Sequence, residues 1–180
     1  MRRTIWKLFW AWNYDKEEKW LNDMSARGLQ LNGVGCCWYK FDTGTPDEYV
    51  YRLEFLKNHP YSAESLRYIE FLEETGVEYI GSVFRWVYFR KKAGDVGFDI
   101  YSDIDSRIKH LSRVLLLIGI ISGMNIIIGA SNLSRVLIPG FGSLGSIGII
   151  NLTLGAFCAY GFLRIFLKYR KLKKEKLLHE

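Results

Sequence analysis

Two stretches of this chain run for twenty residues without a charge: 114–133 (VLLLIGIISGMNIIIGASNL) and 144–163 (LGSIGIINLTLGAFCAYGFL). At about 1.5 Å of rise per residue, twenty helical residues cover the ~30 Å hydrocarbon core of a bilayer. A helix of a water-soluble domain keeps a polar face, and neither stretch has one. Two membrane-crossing helices are therefore expected, which excludes a plain soluble fold. The connector, 134–143, holds Pro139, Gly140 and Gly142, which favour a turn and make the helices antiparallel neighbours.

Basic residues on the flanks set the expected orientation. Arg107, Lys109 and Arg113 precede the first stretch, and Arg135 alone stands in the connector. Arg164, Lys168, Arg170, Lys171, Lys173, Lys174 and Lys176 follow the second stretch. Lys and Arg collect on the cytoplasmic side, so both termini are expected in the cytoplasm of a multi-pass cell-membrane protein. The basic tail at 164–176 is expected to serve as a stop-transfer and orientation signal next to the membrane lipid, with a dedicated lipid- or nucleic-acid-binding role as the lesser alternative. Arg2 and Arg3 are followed by no unbroken apolar run, so a signal peptide is not expected. Within the hairpin, Gly119 and Gly123, and Gly155 with Ala159, offer small-residue faces for helix packing. Asn125 and Asn151 lie at similar depth, so a hydrogen bond between them is expected. Packing inside one hairpin is the simpler use of these faces, and a homo-oligomer built through them stays open. Two spans with no intramembrane acid or base make a poor transporter.

The rest of the chain has a different character. Residues 1–105 hold 14 Lys and Arg against 17 Asp and Glu, whereas residues 106–180 hold 11 against 2. The pI near 9.2 thus belongs to the tail. An acidic front half, whose strand at 84–90 lacks the glycine-containing RNA-binding pattern, gives no expectation of direct nucleic-acid binding.

A near-repeat runs through the front half. Shifted by 48 positions, Trp20 falls on Tyr68, Leu21 on Ile69, Met24 on Leu72, Gly28 on Gly76, Gly33 on Gly81, Trp38 on Trp86 and Phe41 on Phe89. Each unit reads as strand, helix and two short strands. Residues 5–12 alternate, with Trp6, Leu8, Trp10 and Trp12 on one face, as do 48–56 with Tyr49, Tyr51, Leu53 and Phe55. Asp15 with Glu18, and Ser62, are expected helix N-caps, and Gly28 and Gly76 are helix stops. Residues 78–82 and 84–91 read as strands. The expected fold is α+β: an antiparallel sheet with two helices on one face, a duplicated, ferredoxin-like variant, followed by the transmembrane hairpin. The expected divisions are a cytoplasmic domain at 1–101, a juxtamembrane linker helix at 102–113 capped by Ser102 or Asp103, the hairpin at 114–163 and the basic tail at 164–180.

The front 101 residues hold 22 aromatic rings, including all six tryptophans. Helices on one face leave the other open, so Trp6, Trp10, Trp38, Tyr51, Arg52, Trp86 and Tyr88 are expected to form a binding face for a protein partner. The alternative, in which the rings fill a small core, stays open. No catalytic chemistry is expected. Cys36 and Cys37 are adjacent, Cys158 lies in a span, and His59, His110 and His179 are scattered without metal-ligand spacing. Phosphate-binding and nucleophile motifs are missing, and neither a cofactor nor a metal is expected. Glu17, Glu18, Glu73 and Glu74 read as solvent-facing helix positions, and Asp103 with Asp105 as a cap and a solvated face.

Five blocks in order resemble one bacterial family, the domain of unknown function 2812. They are Asp15-Lys16-Glu17-Glu18-Lys19-Trp20-Leu21, Tyr49-Val50-Tyr51-Arg52-Leu53-Glu54, Tyr68-Ile69-Glu70-Phe71-Leu72-Glu73-Glu74-Thr75-Gly76, Arg85-Trp86-Val87-Tyr88-Phe89-Arg90-Lys91 and Ser102-Asp103-Ile104-Asp105-Ser106. The resemblance implies a cytoplasmic domain followed by membrane spans, often encoded beside PadR-like transcription regulators, and supplies no catalytic residues. The resulting expectation is a membrane-tethered binding or regulatory module that senses or sequesters such a regulator. The alternative is a small membrane-stress or export accessory that acts through its hairpin.

Overall fold

The computed structural model describes residues 2–94, 98, 104–135 and 144–179. The chain divides into two compact units, 1–103 and 104–180. Pro139, Gly140, Gly142, Tyr101, Ser102 and Asp103 lie outside the described residues.

The first unit is a strand-helix-strand-strand motif built twice. β1 (Arg2–Trp6), α1 (Tyr14–Ala26), β2 (Leu29–Gly35) and β3 (Trp38–Thr43) form the first copy. β4 (Tyr49–Phe55), α2 (Ala63–Glu74), β5 (Glu78–Val83) and β6 (Trp86–Lys92) form the second. Two antiparallel three-stranded sheets result, ordered β1-β3-β2 (sheet A) and β4-β6-β5 (sheet B). The repeat extends to backbone detail. The β2–β3 register slips between Leu31 and Gly33, and the β5–β6 register slips between Tyr79 and Gly81, 48 positions on. Each bulge sets one extra residue, Asn32 or Ile80, against its partner strand. Both helices end at a left-handed glycine, Gly28 (φ 75°) and Gly76 (φ 81°), as their sequence positions predict.

Helix starts differ from expectation in the first copy. The cap position of α1 is Asn13, without a side-chain cap bond, and Asp15 lies within the first turn. The Glu18 side chain is engaged elsewhere, so the expected capping box does not form. Ser62 does cap α2, accepting a hydrogen bond from the Ser65 N–H at 3.3 Å. The strand expected over 5–12 stops at Trp6, and a 3-10 turn forms at Ala11–Asn13. The cause is the partner strand. Trp6 pairs with Trp38, the first residue of β3, and beyond the Lys7 N–H to the Cys37 carbonyl there is no further strand to pair with. The alternating rings then separate: Trp6 is 74% exposed and Trp12 only 5%.

Alternation along β6 distributes the two helices. Tyr88 points into the larger core, with Leu21 and Met24 of α1, Leu31, Tyr39 and Phe41 of sheet A, and Tyr51 and Leu53 of β4. Its neighbours Val87 and Phe89 point the other way, into a second core with Ile69 of α2, Leu56 and Val77. Burial of these side chains is the main drive for folding, at about 1.5–3 kcal/mol each.

The second unit is an antiparallel pair of long helices, α3 (Ile104–Ser134) and α4 (Leu144–His179). Both are long and apolar enough to cross a membrane, and most of their apolar surface faces outward. Close approach is set by glycine. A Cβ on Gly155 would stand 2.7 Å from Ile126 Cγ1, one on Gly148 3.0 Å from the Gly129 carbonyl, and one on Gly129 2.8 Å from the Leu152 backbone nitrogen. Ser122 donates from Oγ to the Gly155 carbonyl at 2.9 Å. Of the expected packing residues, Gly155 and Gly119 (3.2 Å from the Phe162 ring) sit at the contact. Gly123 does not, with nothing within 4 Å of its Cβ position. The expected Asn125–Asn151 hydrogen bond is not formed, because the Asn125 amide donates to the Ile121 carbonyl one turn back in its own helix. Asp105 pairs with Lys176 at 2.9 Å, across the end of the hairpin away from the connector.

Candidate functional site

The seven residues expected on one face do not share one. Tyr51 and Tyr88 are buried in the larger core. Trp86 is half-buried, packed against Tyr14 and Phe55 at ring-centroid distances of 5.3 and 5.2 Å. Arg52 points to the α2 side of β4 and pairs with Glu18 at 3.4 Å. Trp10 stacks on Trp12 at 5.4 Å beyond the end of β1. The register of β1 and β3 brings only Trp6 and Trp38 side by side. These two, with Arg2, Thr4, Lys40 and Asp42, make up the outer face of sheet A. Lys40 Nζ lies 4.9 Å from the Trp38 ring and Arg2 pairs with Asp42 at 3.4 Å. This face stands opposite Tyr39 and Phe41, which point into the core. Leu8 (57% exposed) and Trp10 (44%) continue the apolar surface past Trp6.

Sequence reasoning also missed a buried carboxylate. Glu17, expected in solvent, is 7% exposed. Its Oε1 accepts hydrogen bonds from the Tyr39 and Tyr88 hydroxyls, both at 2.6 Å. The three residues come from α1, β3 and β6, so the carboxylate pins the first copy of the motif to the second. Burial raises the Glu17 carboxyl above the usual carboxylate range, and the two phenol donors pull it partly back. Burial and the adjacent carboxylate push both phenols upward, so they remain donors. The only sequence signal was that Glu17 precedes Leu21 by one helical turn, on the stripe that faces the core.

A second polar cluster joins the copies near Leu31. The Leu31 N–H donates to the Tyr51 hydroxyl at 2.8 Å, Tyr51 donates to Gln30 Oε1 at 3.0 Å, and Arg90 donates to the Leu31 carbonyl at 3.1 Å. Arg90 is itself held by Glu78 at 2.6 Å. In both clusters every polar group named is paired, as burial requires.

One face of α1 closes the outer edge of β4. Ser25 Oγ donates to the Tyr49 carbonyl at 2.7 Å. Asn22 accepts from the Tyr51 N–H at 2.8 Å and donates to its carbonyl at 3.1 Å, and Glu18 accepts from the Leu53 N–H at 3.0 Å. Residues 18, 22 and 25 are spaced by one helical turn each, which is why a single helix face reaches alternate residues of the strand.

Cys36 and Cys37 form the β2–β3 turn with their sulfurs 3.8 Å apart, and all three cysteines are free thiols. Among the described residues no cluster of three or more His, Cys, Asp and Glu has metal-binding geometry.

No curated protein and no solved structure matches the chain significantly. The profile of a family described as "Protein of unknown function (DUF2812)" matches residues 13–122, from the turn before α1 into α3. That span covers more than half of the chain and includes both copies of the motif apart from β1, so this protein belongs to the DUF2812 family.

Proposed function

We propose that this chain is a membrane-tethered binding module. In this reading the α3–α4 hairpin anchors it in the cell membrane, both termini lie in the cytoplasm, and the first unit offers the outer face of sheet A to a protein partner. The observation that carries the reading is the contrast between rings. Tyr39, Tyr51, Tyr88, Phe41 and Phe89 are buried, whereas Trp6 is 74% exposed beside Trp38 on a sheet face with a mixed-charge rim. A large ring left in water costs apolar hydration, and Trp with Arg at the centre of a patch is the composition of contact hot spots. The orientation rests on the count of Lys and Arg flanking the two helices.

The partner class proposed is a PadR-like transcription regulator, held at the membrane and away from DNA. It follows from the genomic neighbourhood that the family resemblance implies. The test uses the full chain in lipid nanodiscs and the purified regulator encoded beside it. Wild type should bind in the micromolar range or tighter. Trp6→Ala and Trp38→Ala should each weaken binding at least tenfold, and Tyr61→Ala, at an exposed ring elsewhere, should not. Equal binding by all four proteins removes the sheet face from the mechanism. A terminal reporter found outside the cell removes the tethering topology.

A further inference from the structure

The two outer strand edges of the first unit are treated differently, although the motifs that carry them are copies. At β4 four outward backbone groups, the Tyr49 carbonyl, the Tyr51 N–H and carbonyl and the Leu53 N–H, are bonded by Ser25, Asn22 and Glu18 of α1. The residues of α2 at the same place in the repeat, 48 positions on, are Leu66, Glu70 and Glu73. None of them bonds β1. β1 is the end strand of sheet A and is exposed along nearly its whole length. The hydrogen bond from the Lys7 N–H to the Cys37 carbonyl sets the alternation, so residues 3, 5 and 7 bond β3, and the N–H and C=O groups of 2, 4 and 6 face outward. An uncovered edge of this kind is a template for another strand.

We infer that β1 pairs with β1 of a second copy, antiparallel about a two-fold axis at Thr4, joining two sheets A into one six-stranded sheet. The sequence Arg2-Arg3-Thr4-Ile5-Trp6 is self-complementary about that point. Thr4 meets its own counterpart, and Arg2 meets Trp6 of the second copy on the outer face, twice over. Those contacts place an 84% exposed guanidinium beside a 74% exposed indole, the geometry of a cation–π pair. All six outward groups of each strand then find partners across the axis. The parallel alternative would set Arg2 against Arg2 and Arg3 against Arg3, at a like-charge cost. Closed two-fold symmetry stops the association at two copies. Confinement of both copies to one membrane plane raises their effective concentration, which is what a five-residue strand needs in order to pair. The inference does not rest on the partner reading: the backbone edge makes the pairing, and although Arg2 of the second copy flanks Trp6, Trp38 and Lys40 keep their outer face uncovered.

The test is register-specific cross-linking of the full chain in lipid vesicles, with the three native cysteines changed to serine. Thr4→Cys places thiols on opposite sides of the axis, about 5.5 Å apart between Cβ atoms, within reach of a short bifunctional thiol reagent. Leu8→Cys, four positions from the axis, places them roughly 20 Å or more apart at strand rise. Cross-linked dimer should form at least tenfold faster for Thr4→Cys than for Leu8→Cys. Equal rates, as association through the helices alone would produce, or no dimer from either, would overturn the inference. Thr4→Pro removes one outward N–H and leaves the β3 pairing intact. It should lower the dimer fraction at least fivefold with no change in the domain's urea midpoint, and an unchanged dimer fraction would equally overturn the inference.

Discussion

Replacing Tyr88 by Phe deletes one hydroxyl from the core and tests whether Glu17 holds the two motif copies together. In the folded protein the Tyr88 hydroxyl lies 2.6 Å from Glu17 Oε1, and the carboxylate has 7% exposure, too little for water to replace the lost donor fully. A hydrogen bond to a charged group contributes about 1.5–3 kcal/mol, against about 0.5–1.5 kcal/mol for a neutral pair. Tyr88→Phe should therefore cost about 2 kcal/mol at pH 8. The pH dependence gives the sharper check. The Glu17 carboxyl is raised in the folded state, chiefly by burial, so the folded chain holds that proton more tightly than the unfolded chain. The stability linked to its protonation is fully present below the ordinary Glu range, near pH 4.3, and is lost as pH rises through the folded value. Removing Tyr88 removes one of the two groups that pull the carboxyl down, so that loss moves to higher pH in the variant. At pH 5, with more of Glu17 protonated, the Tyr88→Phe penalty should shrink toward the neutral-pair range. The assay is urea unfolding of the full chain in a mild non-ionic detergent, followed by tryptophan fluorescence. All six tryptophans lie between residues 6 and 86, so the long apolar helices α3 and α4 are silent. With a urea slope of about 2 kcal/mol per molar, the midpoint should fall by about 1 M at pH 8 and by less at pH 5. A midpoint unchanged at pH 8, or a penalty equal or larger at pH 5, would refute the argument.

The same assay applies at the β4 edge. Asn22→Ala strips both a donor and an acceptor from Tyr51 and should cost about 1–3 kcal/mol, whereas Asp23→Ala on the neighbouring helix position should cost under about 0.5. Gly28→Ala should destabilise more than Gly76→Ala. Both sit at left-handed φ, with a cost of about 1–2 kcal/mol, but only at Gly28 would the new Cβ meet a backbone oxygen, Gly44 O at 2.9 Å. In the hairpin, Gly155→Leu should force α3 and α4 apart, costing about 1–3 kcal/mol or more, whereas Gly123→Leu should be tolerated. Thiol cross-linking between cysteines placed at 119 and 162, where α3 and α4 also touch, reads the difference in each background.

Features that depend on neighbours in the chain were legible before any coordinates. Charge-free twenty-residue runs mark helices too apolar for a soluble surface, period-two and helical spacing locate most strands and both front helices, and Gly28 and Gly76 stop those helices because few other residues adopt their backbone conformation. The 48-residue repeat was visible as spacing alone, and the paired bulges after Leu31 and Tyr79, which only the structure shows, keep its period. Features that depend on what lies across the fold were not. Alternation through 5–12 describes a strand that had no partner past Trp38, so Trp6 and Trp12 part company. A glutamate on a helix carries no mark of whether two tyrosines from distant strands will meet it, as they meet Glu17. Whether a strand edge is closed or open depended on three side chains of α1 that α2 lacks. Local periodicity is a property of consecutive residues, whereas burial, pairing and edge exposure belong to contacts between residues far apart in the chain, and only the tertiary structure decides those.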